Sequence, residues 1–490
     1  MCINWSAFYA PGPEIRAYLN HVVDKYKLRP FIKLRHRIVG ASYHEDSGKW
    51  HLKVRRPRAG SETEKGEHVV WNWTTDFEEF TDTADVVLAG LGSLSRWSWP
   101  DVDGLENFEG RVMHSAQWDI GEDGNGVWQE TVKDWGDKLV GVIGVGSSAI
   151  QMVPALQPRV KHVTNYVRGK TWLSAPFVRD RLNSLANGEE VSNYTFTDED
   201  RKKFQDPAYY KDFRWQLESE MNGANPATLR GTPMQKGAKD AFREDMLKKL
   251  AKKPWIADHR ERMGLSLTRD YVMQVDFVPT HIQKVTPKGI ETVDGQHQDL
   301  DIIICATGTT LVTHSLRTDR SNSGAGFDTS FQFDFPILGR KGVDLSKKFE
   351  PHPRTYLSVA VDGFPNWFQC LGPNAAVGAG SLLLLCERQV DYAVAATLKL
   401  QRERLKSIEV KAQAVNDFDA YLESYFPSVR ILEDLWFELG LLTDTFRAKT
   451  VYSEKCRSWY KGGKEDGRVT ALWPGERISS ILIVGVNGRT

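Results

Sequence analysis

A glycine turn set between a strand and a helix constrains this 490-residue chain more than any other feature. Lys138–Ile143 reads as a strand, Gly144-Val145-Gly146-Ser147-Ser148-Ala149 follows at once, and Ser148–Leu156 carries a helical pattern that stops at Pro158. This is a GxGxxA turn in the strand-to-helix setting that dinucleotide binding requires. Gly144 permits the tight turn, Gly146 lets the backbone approach a pyrophosphate, and the small Ala149 lets helix and strand pack closely. The N–H groups at the helix start, from Ser147 through Ala149, are the phosphate ligands of such a turn. An ordinary βα turn can hold the same glycines, so the flanking elements carry the reading.

The next strand, Val160–Val167, ends at Arg168, with Lys170 beside it. An acidic residue there would take the ribose hydroxyls of NAD, whereas an arginine suits the 2′-phosphate of NADP. NADP is therefore the expected dinucleotide, against the plainer reading of two solvated surface cations. Gly169-Lys170-Thr171 is not the end of a P-loop, because Thr164 stands where that motif needs its first glycine. No GxSxG elbow, HExxH pair or paired-cysteine motif occurs, so hydrolase and metalloenzyme chemistry has no support and no metal site is expected.

Composition narrows the setting. Lys plus Arg is 64 and Asp plus Glu is 64, which leaves no global field to attract nucleic acid or an anionic membrane. A hydrophobic share of 41% with 26% charged residues is that of a globular chain, long enough for two or three packed units. Its five cysteines are scattered, which argues against a disulfide framework and for a reducing compartment. No apolar run approaches the ~18 residues of a membrane span. Met1–Pro13 lacks the pattern of a signal peptide, and the terminal Asn-Gly-Arg-Thr is not a peroxisomal signal. The expectation is a soluble, cytoplasmic enzyme.

Two strand-like stretches share one design. Ala84–Gly92 and Leu300–Gly308 are both apolar runs opened by an aspartate, Asp85 or Asp301, and closed by glycine. Between them lies a self-contained α/β block, which reads as one domain inserted into another. Within it, residues 187–262 are charged and helical in pattern. Outside it, the spacing predicts helices over Pro13–Tyr26, Ser381–Gln401 and Ala412–Tyr425, and a β-hairpin pairing Trp50–Val54 with His68–Trp73.

Just before the block stands Phe108-Glu109-Gly110-Arg111-Val112-Met113-His114-Ser115-Ala116-Gln117-Trp118-Asp119. This resembles the FxGxxxHxxxWD fingerprint of Baeyer–Villiger monooxygenases, NADPH-dependent flavoproteins with two dinucleotide-binding domains. Phe108, Gly110, His114, Trp118 and Asp119 all match. The resemblance covers nearly the whole chain. Trp5-Ser6, Glu14-Ile15 and Tyr18-Leu19 resemble an early family segment. Gly92–Pro100 is similar to the first crossing between domains, and Asp301–Gly308 to the second. Gly372-Pro373-Asn374 and Gly378–Ser381 resemble the start of the flavin-side helix, while Cys456–Lys461 and Ala471–Gly475 are similar to a substrate-side loop. The likeness is strongest to fungal enzymes of polyketide secondary metabolism, including monooxygenases of the aflatoxin and sterigmatocystin pathways.

The resemblance implies two interleaved Rossmann-like domains of α/β class. A first part of an FAD-binding domain would cover residues 1–111, an inserted NADP-binding domain 112–300 with its helical subdomain at about 187–262, and the second FAD part with the substrate side 301–490. It implies FAD and NADP as cofactors, and oxidation of a small-molecule ketone by molecular oxygen to an ester or lactone. His114 becomes a conformational residue of the interdomain link, and Asp301, Ala306, Thr307, Gly308 and Asn374 become cofactor-side residues. Two departures are visible. The family's first glycine turn, which binds the ADP part of FAD, has no counterpart before Trp5, so the FAD domain reads as incomplete at its start and flavin retention as dependent on an upstream segment. The family's arginine-rich stretch, which stabilises the reactive oxygen species, reads Gly264-Leu265-Ser266-Leu267-Thr268-Arg269, leaving Arg269 as the displaced candidate. Two rival readings follow: a flavin monooxygenase that hydroxylates or oxygenates a heteroatom, and an NADP-binding remnant with impaired catalysis.

Overall fold

The computed structural model describes residues 4–58, 63–65, 68–70, 77–92, 97–118, 128–167, 178–249, 276–307, 326–327, 331–378, 380–427, 450–454, 458–462, 464 and 466–475. Its centre is a parallel sheet of five strands, in the order Asp276–Val278, His162–Tyr166, Leu139–Ile143, Ile302–Cys305 and Arg111–His114. Leu139–Ile143 and Ile302–Cys305 are continuous apolar runs because a central parallel strand is covered on both faces. Val140, Val142, Ile302 and Ile304 pack on one face with Ala149, Val153 and Leu156. Ile143, Ile303 and Cys305 pack on the other with Phe108, Tyr166, Ile290 and Leu300.

This sheet crosses the expected domain limits. Ile302–Cys305 pairs with Leu139–Ile143 on one side and Arg111–His114 on the other, so the boundaries at 111/112 and 300/301 cut through or beside strands of one inner sheet. Ala84–Gly92 and Leu300–Gly308 share one sequence design. Both hold strands, but Val87–Ala89 pairs in parallel with Trp367–Gln369 of the outer domain. Apolarity marks a strand buried on both faces without saying whose sheet it joins.

The outer domain also carries a four-stranded sheet, ordered Ile337–Leu338, Arg37–His44, Lys49–Pro57 and Phe77–Ala84. The expected hairpin is replaced. Lys49–Pro57 pairs with Phe77–Ala84 from Trp50–Ala84 through Pro57–Phe77, while His68–Val70 pairs with Thr63–Lys65; residues 71–73 lie outside the described residues. Cross-strand charge explains the choice: Arg55 meets Glu79 at 3.0 Å, Arg56 meets Glu78, and the Arg55 guanidinium lies 4.2 Å from the Phe77 ring centre. The fully buried Trp50 anchors this sheet, its indole N–H donating to the Pro365 carbonyl at 2.8 Å.

Helices occur at Gly12–Lys25, Leu382–Glu403 and Ala412–Tyr425, within two residues of their expected limits. The long helix buries Leu385, Ala393 and Ala396 against Phe418 and Leu422 of the next, with Trp473 in the same cluster. Gly12–Lys25 buries none of its residues. The helical subdomain contains Asp198–Phe204, opened by a Thr197–Asp200 capping box, Pro207–Gly223, capped by Asp206, and Pro233–Lys249. Among the described residues no helix is long and apolar enough to cross a membrane.

Candidate functional site

The glycine turn sits at the carboxyl edge of the inner sheet. Gly144 has φ of +111°, and a Cβ there would lie 2.3 Å from the carbonyl oxygen of Ala306, so both conformation and space demand glycine. Its N–H donates to the Tyr166 carbonyl at 2.9 Å, and the Ala306 N–H donates to the Ile143 carbonyl at 2.8 Å. Turn and second crossing therefore abut. Buried Asn165 braces them, its Nδ2 donating to the carbonyls of Gly144 at 2.8 Å and Val142 at 2.9 Å. Sequence reasoning missed Asn165. The available signal was a lone amide in an apolar strand, which burial obliges to find partners.

The helix Ser147–Leu156 starts from extended Gly146 and no side chain caps it, while Ala149 is fully buried against the sheet. Its first N–H groups, those of Ser147, Ser148 and Ala149, sit at the positive end of the helix dipole. Beside the turn, the buried Thr307 hydroxyl makes no hydrogen bond among the described residues. An uncapped helix start and an orphaned hydroxyl fit a dinucleotide pyrophosphate. Arg168, Lys170, Gly308 and Arg269 lie outside the described residues, as does Asp119 of the fingerprint.

His114 ends the Arg111–His114 strand and is buried. Its ring stacks on Trp97 with centres 4.1 Å apart at 14°, and meets Trp99 edge-on at 5.6 Å. The Ala116 N–H donates to Nδ1 at 3.1 Å, and burial holds the imidazole pKa below its ordinary value, so the ring is neutral with Nδ1 as acceptor. Opposite His114 in the sheet is Cys305, whose buried thiol is pushed up to about 12 and is no nucleophile at neutral pH. His114 thus joins Trp97 of the first crossing to the strand that leads into the second. Trp97 and Trp99 fall in the Gly92–Pro100 stretch expected to form the first crossing, and their alternation across Ser98 was the available signal for this stack.

Because His114 is neutral when folded and its pKa is lowered, the unfolded chain binds the proton first as pH falls. The stability this provides is present above the ordinary histidine pKa and is lost as pH falls through the lower folded value. Urea titrations from about pH 7.5 to 5 are expected to show that loss, with a shallower dependence in His114→Gln; equal slopes in the two proteins would contradict it.

Two expected cofactor residues make hydrogen bonds to the backbone. Asp301 lies at the amino edge of the sheet, opposite the glycine turn, where its carboxylate accepts the Leu139 N–H at 2.7 Å and its carbonyl accepts the Arg111 N–H at 3.0 Å. The fingerprint's Gly110 packs on that same carbonyl: a Cβ would lie 2.3 Å from it. Asn374, at φ of +60°, is buried, and its Nδ2 donates to the carbonyls of Val469 at 3.0 Å and Leu472 at 3.1 Å. Both amide hydrogens hold the C-terminal segment.

That segment lines a narrow pocket with room for about one water molecule, among Asn225 and Thr228 of the helical subdomain, Gly378, Tyr425, Tyr452 and Trp473. The Tyr452 hydroxyl donates to the Gly378 carbonyl at 2.8 Å, and burial pushes its pKa up to about 12. The buried Trp473 indole N–H has no partner among the described residues. Tyr452, Asn225 and Thr228 carried no sequence signal, since three distant segments meet only in the fold. In the outer domain, Gly90 and Gly92 follow the Val87–Ala89 strand with nothing within 4 Å of their would-be Cβ atoms. Nearby in the same domain, the Ser358 hydroxyl and the Gln369 amide are buried without partners among the described residues. Open glycines past a parallel strand and orphaned polar groups fit a second nucleotide cofactor.

The fold is that of two-domain flavin monooxygenases. Over 99% of the chain it matches steroid monooxygenase bound to NADP (TM-score 0.68, 23% identity, 85% of that chain) and cyclohexanone monooxygenase in its closed form (TM-score 0.66, 22% identity, 85% of that chain). The FAD-binding monooxygenase tazF of Aspergillus terreus is 31% identical over 489 residues, 97% of this chain and 74% of that protein. The chain belongs to the FAD-binding monooxygenase family. The FAD-binding monooxygenase stcW of Emericella nidulans is 29% identical over 97% of this chain and 69% of its own length, and a Baeyer-Villiger monooxygenase of Pseudomonas aeruginosa 29% identical over 96% and 75%. No protein-family model matches the chain.

Proposed function

We propose that this protein is an FAD- and NADPH-dependent Baeyer–Villiger monooxygenase that converts a ketone to an ester or lactone in fungal polyketide metabolism. The observation that carries the reading is the junction at which the Gly144 turn, Ala306 and the His114–Trp97 stack come together, fingerprint and nucleotide turn in one structural unit. NADPH would supply hydride, and FAD the activation of molecular oxygen. Gly144, Gly146 and the helix start at Ser147 hold the pyrophosphate, and Arg168 with Lys170 neutralises the 2′-phosphate. Ala306 and Thr307 place the cofactor-facing end of the second crossing against that turn. Arg269 is assigned the developing negative charge, since a reaction that builds an anion in a dry site needs a fixed cation. Free thiols at Cys305, Cys370 and Cys386 suit a reducing, cytoplasmic setting.

The test supplies FAD, NADPH and labelled oxygen to the protein with an aryl ketone or an aryl thioether. An ester or lactone carrying one labelled atom, with NADPH preferred over NADH, is the expected product. Sulfoxide without ester would favour heteroatom oxygenation, and absence of ketone-dependent oxygen uptake in flavin-loaded protein would favour the impaired remnant.

A further inference from the structure

The helix Gly12–Lys25 buries none of its residues, yet its apolar side chains are ordered. Ile15, Leu19, Val22 and Tyr26 recur at intervals of four, three and four, which sets them on one face and carries that face into the turn beyond the helix. Leu19 is 58% and Tyr26 64% exposed. The chain then folds back tightly, the Leu28 N–H donating to the Val23 carbonyl and the Phe31 N–H to the Leu28 carbonyl, each at 2.9 Å. This turn adds Phe31 and Leu34, which are 81% and 78% exposed. Exposed apolar side chains are ordinarily scattered singly over a surface; a run of them marks an interaction site.

Charge indicates what covers it. Residues 12–37 hold seven Lys and Arg against two acids, in a chain whose total charge is zero. Both acids are engaged: Glu14 accepts the Ser6 N–H at 2.8 Å and its hydroxyl at 2.6 Å, and Asp24 accepts from Arg29 Nη2 at 3.1 Å. By helical periodicity Asp24 falls on the side opposite the stripe, while Arg16 and Lys25 flank it. A second copy would set the same cations against one another, and a nucleic-acid backbone offers no apolar phase for Leu19 or Leu34.

We propose that this helix and the turn after it form a peripheral docking surface that lies flat on an anionic phospholipid bilayer. The apolar stripe enters the boundary between headgroups and acyl chains to a depth of about 5–10 Å. The Lys and Arg side chains lay their stems along it and extend their charges to the lipid phosphates and carboxylates. The attachment is local, so the neutral balance of the whole chain does not oppose it.

The experiment floats the full chain with vesicles of phosphatidylcholine alone, or of phosphatidylcholine mixed with phosphatidylserine. The chain should rise with the mixed vesicles only, and salt at about 1 M, which screens charges beyond about 3 Å, should release most of it. Phe31→Ser combined with Leu34→Ser should lower partitioning at least about tenfold, and Lys33→Gln about fivefold. All three side chains are exposed, so both variants should melt with the parent. Equal binding to the two vesicle types, binding to neither, or partitioning unchanged in the variants would overturn the proposal. So would a self-associated parent that the Phe31 and Leu34 substitutions make monomeric, which gives the stripe to a second copy, or tighter binding to polyuridylate than to the mixed vesicles, which gives it to nucleic acid. Since flotation needs neither cofactor nor turnover, its outcome is separate from that of the proposed oxygenation.

Discussion

Alanine at position 144 is expected to destabilise the protein by about 3 kcal/mol, combining a left-handed conformation with an overpacked contact. The cause is local: a φ of +111° and a methyl group placed 2.3 Å from the Ala306 oxygen. Relief would require the turn and the second crossing to separate, breaking the Ala306 to Ile143 hydrogen bond. NADP affinity should fall at least tenfold, roughly the loss of one charge-assisted hydrogen bond. Gly146→Ala provides the contrast. Gly146 has φ of −72°, so alanine there should cost under about 1 kcal/mol while still crowding the approach of a pyrophosphate. Thermal melting with calorimetric titration of NADP separates the two. An unchanged melting temperature in Gly144→Ala would show that the crossing yields freely, contrary to the packing described.

The second large effect is expected at Asn374. Alanine removes both side-chain donors and leaves the buried carbonyls of Val469 and Leu472 short of partners while keeping a positive φ, at a cost of about 3 kcal/mol. Asn374→Asp should be worse than alanine, because a carboxylate would face two carbonyl oxygens that have no hydrogen to offer it. A cofactor-binding role would rank them otherwise, with flavin or NADP affinity falling ahead of stability. Trp473 fluorescence and proteolysis at Arg468 report release of the C-terminal segment, and melting reports the cost. Equal melting temperatures for the parent and both variants would remove Asn374 from the clamp.

These two positions show what the sequence could and could not convey. Gly144 was legible because strand, turn and helix are adjacent in the chain, and local sterics dictate a glycine there. Asn374 was visible as part of a turn, yet its partners lie about a hundred residues away and backbone carbonyls carry no sequence signature. Asp301 illustrates the same limit from the other side. Its position before an apolar strand was clear, but which edge of which sheet that strand occupied depended on Leu139 and Arg111. Strand existence was read well and strand partnership badly: Trp50–Val54 was recognised, while Phe77–Ala84, polar in composition and held by Arg55 and Arg56, was not. The fingerprint announced His114, but the Trp97 and Trp99 rings that confine it emerge only when the first crossing folds over the strand.

The place of Ile302–Cys305 in the middle of the inner sheet sets a timetable for biosynthesis. Arg111–His114 and Leu139–Ile143 are synthesised early, yet each is hydrogen-bonded to the same later strand, not to the other. Until residue 305 has cleared the ribosome, the two early strands have a vacant lane between them, and the intervening helical subdomain must be made while that lane stands open. Exposed edges of apolar parallel strands are prone to wrong pairing. Nascent chains arrested with residue 305 still inside the ribosome should therefore draw on chaperones far more than chains arrested once it has emerged.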